Sequence, residues 1–135
     1  MKRIILLAFL CTTTLVMAQR INHVQEAIAN YDYEAALTLI AKEKPTIPLL
    51  LQKGKAQRGL GMNTEALSTY QEIIANDTAN TRAYIEAAEC CRSLAKYQQA
   101  LKYYEQALDL NPENKYVRIQ YIGLLLSLQK FQDAL

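Results

Sequence analysis

The side chains that could carry out chemistry are few and widely separated in this sequence. His23 is the only histidine, and the chain contains no glycine-rich phosphate loop, no HExxH and no GxSxG. The usual motifs for phosphate binding, zinc proteolysis and serine hydrolysis are therefore missing. Glu86 and Glu89 are three residues apart on one predicted helix face, where a carboxylate pair without a pocket indicates solvated charge. The sequence predicts a protein that is not an enzyme and has no cofactor or metal site.

Two of the three cysteines, Cys90 and Cys91, are adjacent within a predicted helix. Neighbouring side chains on a helix point about 100° apart, so a bridge between them would distort the backbone. The spacing is not that of a CxxC metal or redox motif. We expect both to pack as small apolar residues, and a redox or intermolecular role for the thiols stays open.

The elements that position these residues follow from a stretch at residues 81–114. It contains two segments with helical apolar periodicity, residues 83–94 and 97–110, separated by two residues and followed by Asn-Pro. This pattern predicts a helix, a tight turn and a second helix. The pattern recurs 34 residues away in both directions, since Ala66, Ala100 and Ala134 are equally spaced and KYQQAL (96–101) returns as KFQDAL (130–135).

A family resemblance follows from these repeats. A 34-residue helix pair with an early large aromatic, small residues, a second Ala, an aromatic four positions later and a late Pro is typical of one repeat family. Its slots are filled by Tyr84, Ala87, Ala88, Cys91, Ala100, Tyr104 and Pro112. The stretch resembles a tetratricopeptide (TPR) repeat. The resemblance implies an all-α, right-handed α-solenoid that binds proteins without catalysis, and it places Tyr70, Tyr84, Tyr97 and Tyr104 in the core.

The repeats divide the chain into four units after a leader of residues 1–18. An atypical first repeat covers residues 19–46, complete repeats cover 47–80 and 81–114, and a truncated repeat covers 115–135. In the first unit we expect a turn at residues 30–32 and a second helix from Tyr33 to about Glu43. In the second unit we expect Gly59 and Gly61 to end the first helix and Asn63 or Thr64 to cap the next.

The fourth unit predicts a complete first helix and a second helix of barely two turns. Residues 121–128 (YIGLLLSL) are apolar on more than one helix face. We expect a partner or a further part of the native chain to cover this surface, so the sequence is interpreted as an N-terminal fragment.

The leader has the pattern of a secretory signal peptide. Lys2 and Arg3 precede an apolar run that is short for a membrane span and ends in the small residue Ala18. We expect cleavage after Ala18 and export to the periplasm or cell envelope, while an uncleaved membrane anchor stays open. The mature chain would then hold 13 basic and 13 acidic side chains, so its formal charge would fall from +2 to zero. A neutral chain offers no electrostatic case for nucleic acid.

The TPR resemblance also implies a ligand groove lined by the first helices of successive units. Its predicted binding residues are Lys55, Arg58, Arg82, Ile85, Glu89, Arg92, Tyr116 and Ile119. This groove is basic with apolar and aromatic positions, so it would suit an extended peptide with an acidic group and an apolar side chain. Ordinary solvated charge is the alternative. The chaperone-tail clamp of some relatives is absent, because its slots hold Leu51, Lys55, Glu86, Tyr116 and Gln120.

Two functions are consistent with these patterns. The first is a non-catalytic scaffold in the cell envelope that holds a peptide or protein partner and meets a membrane only through an uncleaved N-terminus or that partner. The second is an N-terminal adaptor of a larger exported enzyme or sensor whose active part lies beyond residue 135. Tyr31, Tyr103 and Tyr116 are the tyrosines predicted to be available for roles outside the core.

Overall fold

The computed structural model describes residues 1–133, and the side chains of those residues other than 3, 5–12, 131 and 133. The described chain contains α-helices and no strand. The helices are α1 (Lys2–Ala29), α2 (Tyr33–Ile40), α3 (Ile47–Gly59), α4 (Asn63–Asn76), α5 (Thr81–Ser93), α6 (Tyr97–Leu110) and α7 (Lys115–Asp133). They form two compact units, of which the first ends at Leu60 and the second begins at Gly61.

The first unit packs α1, α2 and α3 around a small apolar core. Its buried residues are Val24, Ile28, Ala36, Ile40, Leu49 and Ala56. Asp32 caps α2 by accepting from the Ala35 amide, and Thr46 caps α3 by accepting from the Leu49 amide. Pro48 lies in the first turn of α3, where a missing amide hydrogen costs no helical hydrogen bond.

The first unit begins with a long helix, and its second helix ends earlier than the sequence predicts. α1 runs without a break from Lys2 to Ala29, through the expected cleavage point after Ala18. α2 ends at Ile40, three residues before Glu43, because the amides of Lys42 and Glu43 donate three residues back and tighten the chain.

The second unit packs α4 against α5, α5 against α6 and α6 against α7. Small side chains at these contacts let the helices approach closely; Ala87, Ala88, Ala100 and Ala107 have no exposed surface. Asn80 caps α5, and the Asn114 side chain accepts from the Val117 amide at the start of α7. Cys90 and Cys91 are buried, as predicted, and neither forms a disulfide with a described residue. Burial raises the pKa of the Cys91 thiol.

The predicted cap of α4 is wrong. Asn63 is the first helical residue, and Met62 occupies the capping position without a side-chain hydrogen bond. The helix begins here because the Met62 carbonyl already accepts from the Ala66 amide. Neither Asn63 nor Thr64 is therefore placed outside the helix, where a capping side chain would have to lie.

Tyr70, Tyr84 and Tyr104 are buried, as the repeat pattern predicts. The prediction for Tyr97 is wrong, since this side chain is 42% exposed. Tyr97 is the first residue of α6, and its side chain projects back toward the helix N-terminus and away from the packed turns.

One backbone conformation marks the tight turns between helices. Tyr31, Gly61 and Ala95 have φ of 61°, 75° and 57°, in the left-handed region, at spacings of 30 and 34 residues. A non-glycine residue pays about 1 kcal/mol or more for this conformation. The next position at this spacing is Gln129, and here the helix does not turn.

α7 is therefore one helix where two were expected. It continues through Gln129 to Asp133, which avoids the cost of a left-handed glutamine. The predicted repeat positions Ala134 and Leu135 lie outside the described residues. Within the described part of the chain, no helix combines the length and apolar character needed to cross a membrane.

The left-handed turn at Ala95 generates a stability prediction. Ala95→Gly should raise the free energy of unfolding by about 0.5 kcal/mol, because the relieved backbone strain exceeds the added entropy of the unfolded glycine. Thermal unfolding followed by circular dichroism measures the change.

Two variants of the second unit test whether the expected gain in stability of Ala95→Gly comes from the left-handed turn. Gly61→Ala should destabilise by about 1 kcal/mol, because it adds a side chain at φ 75°. Ala75→Gly, in exposed helical backbone of α4, should also destabilise. Lower stability of Ala95→Gly would contradict the assignment of strain to this turn.

Candidate functional site

The eight predicted groove residues are divided between the two units. Lys55 and Arg58 lie on α3 in the first unit, and the other six lie on α5 and α7 in the second. Of those six, Arg82, Tyr116 and Ile119 are exposed, and Ile85, Glu89 and Arg92 are half-buried. The structure brings Glu89, Arg92 and Tyr116 into direct contact.

This contact belongs to a hydrogen-bonded group that we call the Glu89 cluster: Glu89 and Arg92 on α5, Tyr104 on α6, and Tyr116 and Gln120 on α7. One oxygen of the Glu89 carboxylate, Oε1, accepts from the hydroxyls of Tyr104 at 2.6 Å and Tyr116 at 3.0 Å. The other oxygen, Oε2, lies 3.4 Å from Arg92 Nη1. The cluster therefore connects three helices through one carboxylate.

Arg92 is held through a single nitrogen. Its Nη1 donates to Gln120 Oε1 at 2.7 Å and lies 3.4 Å from both the Tyr104 hydroxyl and Glu89 Oε2. The guanidinium is planar and rigid, so fixing one nitrogen restricts the orientation of the whole group. The Arg92 side chain remains 38% exposed.

The donor and acceptor roles in the Glu89 cluster follow from chemistry alone. An ionised carboxylate only accepts, so the Tyr104 and Tyr116 hydroxyls donate to Glu89. A guanidinium only donates, so the amide oxygen of Gln120 faces Arg92 and its NH₂ points elsewhere. The phenol of Tyr104 accepts from Arg92 while it donates to Glu89, which polarises both bonds in the same direction.

Two pKa shifts result from this arrangement. Burial, followed by the hydrogen bond to Glu89, strongly raises the pKa of the Tyr104 phenol. The hydrogen bond to Tyr104 raises the pKa of Arg92, which burial opposes. Arg92 therefore stays charged throughout the ordinary pH range, and the charges of Glu89 and Arg92 compensate each other within the cluster.

The remaining predicted residues lie outside this hydrogen-bonded group. Arg82 is exposed, and its charge is unpaired among the residues that the structure describes. Ile119 is 67% exposed, and it shares a helix face with Tyr116 and Gln120 because the three are spaced by three and four residues. The face made by α5 and α7 thus carries unpaired charge at one position and exposed apolar surface at another.

Sequence reasoning missed two members of the cluster. Tyr104 was assigned to the core alone, and Gln120 was considered only as a mismatch to the chaperone-tail clamp. The hydroxyl of a buried tyrosine needs a partner, so the core position of Tyr104 was itself a signal that a polar group lies nearby. Gln120 carried no comparable signal.

Two cavities in the described part of the first unit are lined by residues other than the predicted groove residues. The smaller, of about 370 Å³, is lined by Arg20, His23, Val24, Leu39, Lys42 and Glu43. The larger, of about 690 Å³, has walls that include Thr13, Val16 and Met17, which precede the expected cleavage point. No group of three or more His, Cys, Asp or Glu residues among those described is placed to hold a metal.

Comparison with known proteins identifies the repeat. Residues 81–114 match the family model of the tetratricopeptide repeat. No curated protein matches the sequence.

Several solved structures share the fold. The first TPR of Spaghetti (RPAP3) bound to the HSP90 peptide SRMEEVD has a TM-score of 0.77 at 21% identity, covering 83% of this chain and 92% of that chain. The Sgt2 TPR domain from Aspergillus fumigatus has a TM-score of 0.78 at 13% identity, covering 86% of this chain and 81% of that chain. The Yersinia enterocolitica type III secretion chaperone SycD, in complex with a peptide of the translocator YopD, has a TM-score of 0.76 at 18% identity, covering 87% of this chain and 95% of that chain. The likeness confirms the predicted all-α TPR fold.

The raised pKa of Tyr104 predicts a pH-dependent loss of stability. Above about pH 10 the phenol ionises in the unfolded chain and stays protonated in the folded one, so stability falls as the pH rises. Tyr104→Phe should be less stable than the wild type at pH 9 by about 1.5 kcal/mol, because Glu89 loses a donor. This difference should shrink toward pH 11.

Urea unfolding at pH 9, 10 and 11 measures the difference. Tyr97→Phe, which removes an exposed hydroxyl, controls for the general effect of losing a phenol. A wild-type advantage over Tyr104→Phe that stays constant across this range would show that Tyr104 does not keep its proton in the folded state.

Proposed function

We propose that this tetratricopeptide-repeat protein is a non-catalytic scaffold that binds an extended peptide or protein segment along the face formed by α5 and α7. The observation that carries the proposal is the combination on that face of an oriented arginine, Arg92, with the exposed side chains of Tyr116 and Ile119. The fold supports it, because two structures of this fold contain a bound peptide, from HSP90 in one and from YopD in the other.

The chemistry of the face favours a segment with one acidic and one apolar side chain. Arg82 offers an unpaired positive charge, and Ile119 offers apolar surface that is 67% exposed. An extended segment can reach both, since it covers about 3.3 Å per residue.

We further propose that residues 1–18 are a signal peptide and that the mature protein works in the cell envelope. The distribution of buried residues in the first unit supports this. Its core begins at Val24, and the described side chains of residues 1–18 are all exposed. Cleavage after Ala18 would leave that core intact.

The exposed apolar surface of α7 favours a second candidate function, an N-terminal adaptor of a larger exported enzyme or sensor. Ile122, Leu125 and Leu126 are 48%, 40% and 54% exposed on one helix. In an adaptor, a following part of the native protein would cover this surface. The intact mass of the protein isolated from its native cell decides between the candidates, since an adaptor requires a mass well above that of residues 19–135.

The scaffold proposal predicts that charge reversal on α5 weakens peptide binding. The test measures binding of the purified chain to an array of decapeptides with acidic and apolar residues at varied positions. Arg82→Glu and Arg92→Glu together should weaken binding to the best peptides by at least tenfold, because each substitution replaces attraction with repulsion.

Arg118→Glu, on α7 outside the predicted groove, makes the same charge change as either single α5 substitution and should leave the array pattern unchanged. Circular dichroism of each variant checks that the helices are retained. Equal binding by the double variant and the wild type would remove the α5–α7 face from the proposal.

The signal-peptide proposal predicts that the first 18 residues are dispensable for folding. Residues 19–135 should unfold at a free energy within about 1 kcal/mol of the full chain, because the deletion removes no described core residue. Urea unfolding of both chains tests this. A much larger loss would mean that the leader is part of the folded unit.

A further inference from the structure

The smaller cavity of the first unit has walls from two parts of the chain. α1 contributes Arg20, His23 and Val24, which are spaced by three and four residues and therefore share one helix face. All six lining residues follow the expected cleavage point after Ala18, so removal of the leader would take away none of the walls. The cavity shares no residue with the predicted groove, so its ligand is a question separate from the peptide scaffold.

The end of α2 supplies the other wall. The helix stops at Ile40, and the amides of Lys42 and Glu43 donate three residues back in the segment that follows. Glu43 Oε1 then accepts from Arg20 Nη1 at 3.0 Å, and the Glu43 side chain is only 14% exposed. This ion pair holds the end of α2 against α1, and the two charges compensate each other.

The interior of the cavity is apolar, and its exposed side is basic. Val24 is 1% exposed, and Leu39 is half-buried against the same core. Lys42 is exposed, and its ammonium group is not paired with any described side chain. His23 is exposed as well, and its Nδ1 lies 3.8 Å from Glu26, a solvent-facing carboxylate outside the cavity wall. Because the neighbouring ion pair is neutral overall, the lining has a net positive charge that Lys42 carries.

We propose that this cavity binds a small amphiphilic anion, with the apolar chain of the ligand against Val24 and Leu39 and its carboxylate or phosphate head at Lys42. The volume of about 370 Å³ holds roughly a dozen non-hydrogen atoms at about 30 Å³ each, which is the size of a medium-chain alkyl carboxylate. A cationic amphiphile would be repelled by Lys42. An inorganic anion would gain nothing from the apolar wall.

The experiment uses the full chain with ¹³C-labelled leucine methyl groups and follows Leu39 by NMR at pH 7. The probes are octanoate, octanamide and octylammonium, which share one alkyl chain and differ in the charge of the head group. Loss of a resonance in Leu39→Met assigns it. Octanoate should shift the Leu39 resonance to saturation with a dissociation constant on the order of 1 mM. Octanamide should bind at least threefold more weakly, and octylammonium at least tenfold more weakly.

Two lysine variants locate the head group. Lys42→Glu should weaken octanoate binding about tenfold, because it replaces an attracting charge with a repelling one. Lys44→Glu makes the same charge change two residues away, at an exposed side chain that lines the larger cavity and not this one. This control should bind octanoate within about twofold of the wild type. Circular dichroism checks that both variants keep their helices.

Chain length tests the apolar wall. Hexanoate should bind about tenfold more weakly than octanoate, because it lacks two methylene groups that would lie against Val24 and Leu39. Equal affinity for the two acids would show that only the head group is recognised, and the cavity would then be dropped from the proposal.

Other outcomes would also overturn the inference. They are a Leu39 resonance that octanoate does not move, equal affinity for octanoate and octylammonium, and equal losses in the two lysine variants. Sedimentation with phosphatidylglycerol vesicles separates the cavity from a membrane surface. A chain that binds these vesicles while octanoate leaves Leu39 unmoved would be using its basic side chains on a membrane, against the proposal. None of these results bears on peptide binding by the α5–α7 face.

Discussion

The buried hydroxyl of Tyr104 is the constraint on which the second unit depends. Tyr104 has no exposed surface, so its phenol cannot bond to water and must find a partner inside the protein. Glu89 supplies that partner from α5, and the resulting partly buried carboxylate requires donors of its own. Arg92 and Tyr116 meet this requirement, which draws α7 into the same network.

The close packing of α5 against α6 and the hydrogen bonds of the Glu89 cluster are therefore linked through Tyr104. If larger side chains separated α5 from α6, the Tyr104 hydroxyl would lie nearer the solvent and could bond to water instead of Glu89. The buried polar groups of the cluster bond to one another. No buried side-chain nitrogen or oxygen among the described residues is left without a hydrogen-bond partner.

The repeats made much of the fold predictable from sequence. The 34-residue spacing and the alternation of small and aromatic residues placed α5 and α6 and the burial of Tyr70, Tyr84 and Tyr104. The wrong predictions concern places where two local backbone conformations compete, at the start of α4 and within α7. Whether Met62 or Asn63 caps α4, and whether α7 turns at Gln129, depends on about 1 kcal/mol of strain or capping that a residue pattern does not reveal.

The position of the candidate site could be predicted from the sequence, but the hydrogen bonds and ion pairs of its side chains could not. Transfer of family slots put Glu89, Arg92 and Tyr116 on one face, and the structure joins them. The sequence pattern gives no sign that Arg92 is paired with Glu89 or that Gln120 accepts a hydrogen bond from it. These contacts depend on how α5 and α7 pack in three dimensions. The lining of the face is therefore less basic than its composition indicates.

The internal compensation of charge in the Glu89 cluster has a kinetic consequence. A pair of opposite charges a few ångströms apart produces a field that decays quickly, so it does little to guide a distant ligand toward the site. Encounter with a partner would then proceed at the ordinary diffusive rate and vary little with ionic strength. Selection among partners would occur after encounter, in how long each complex lasts, because only a ligand that engages the oriented donors is retained.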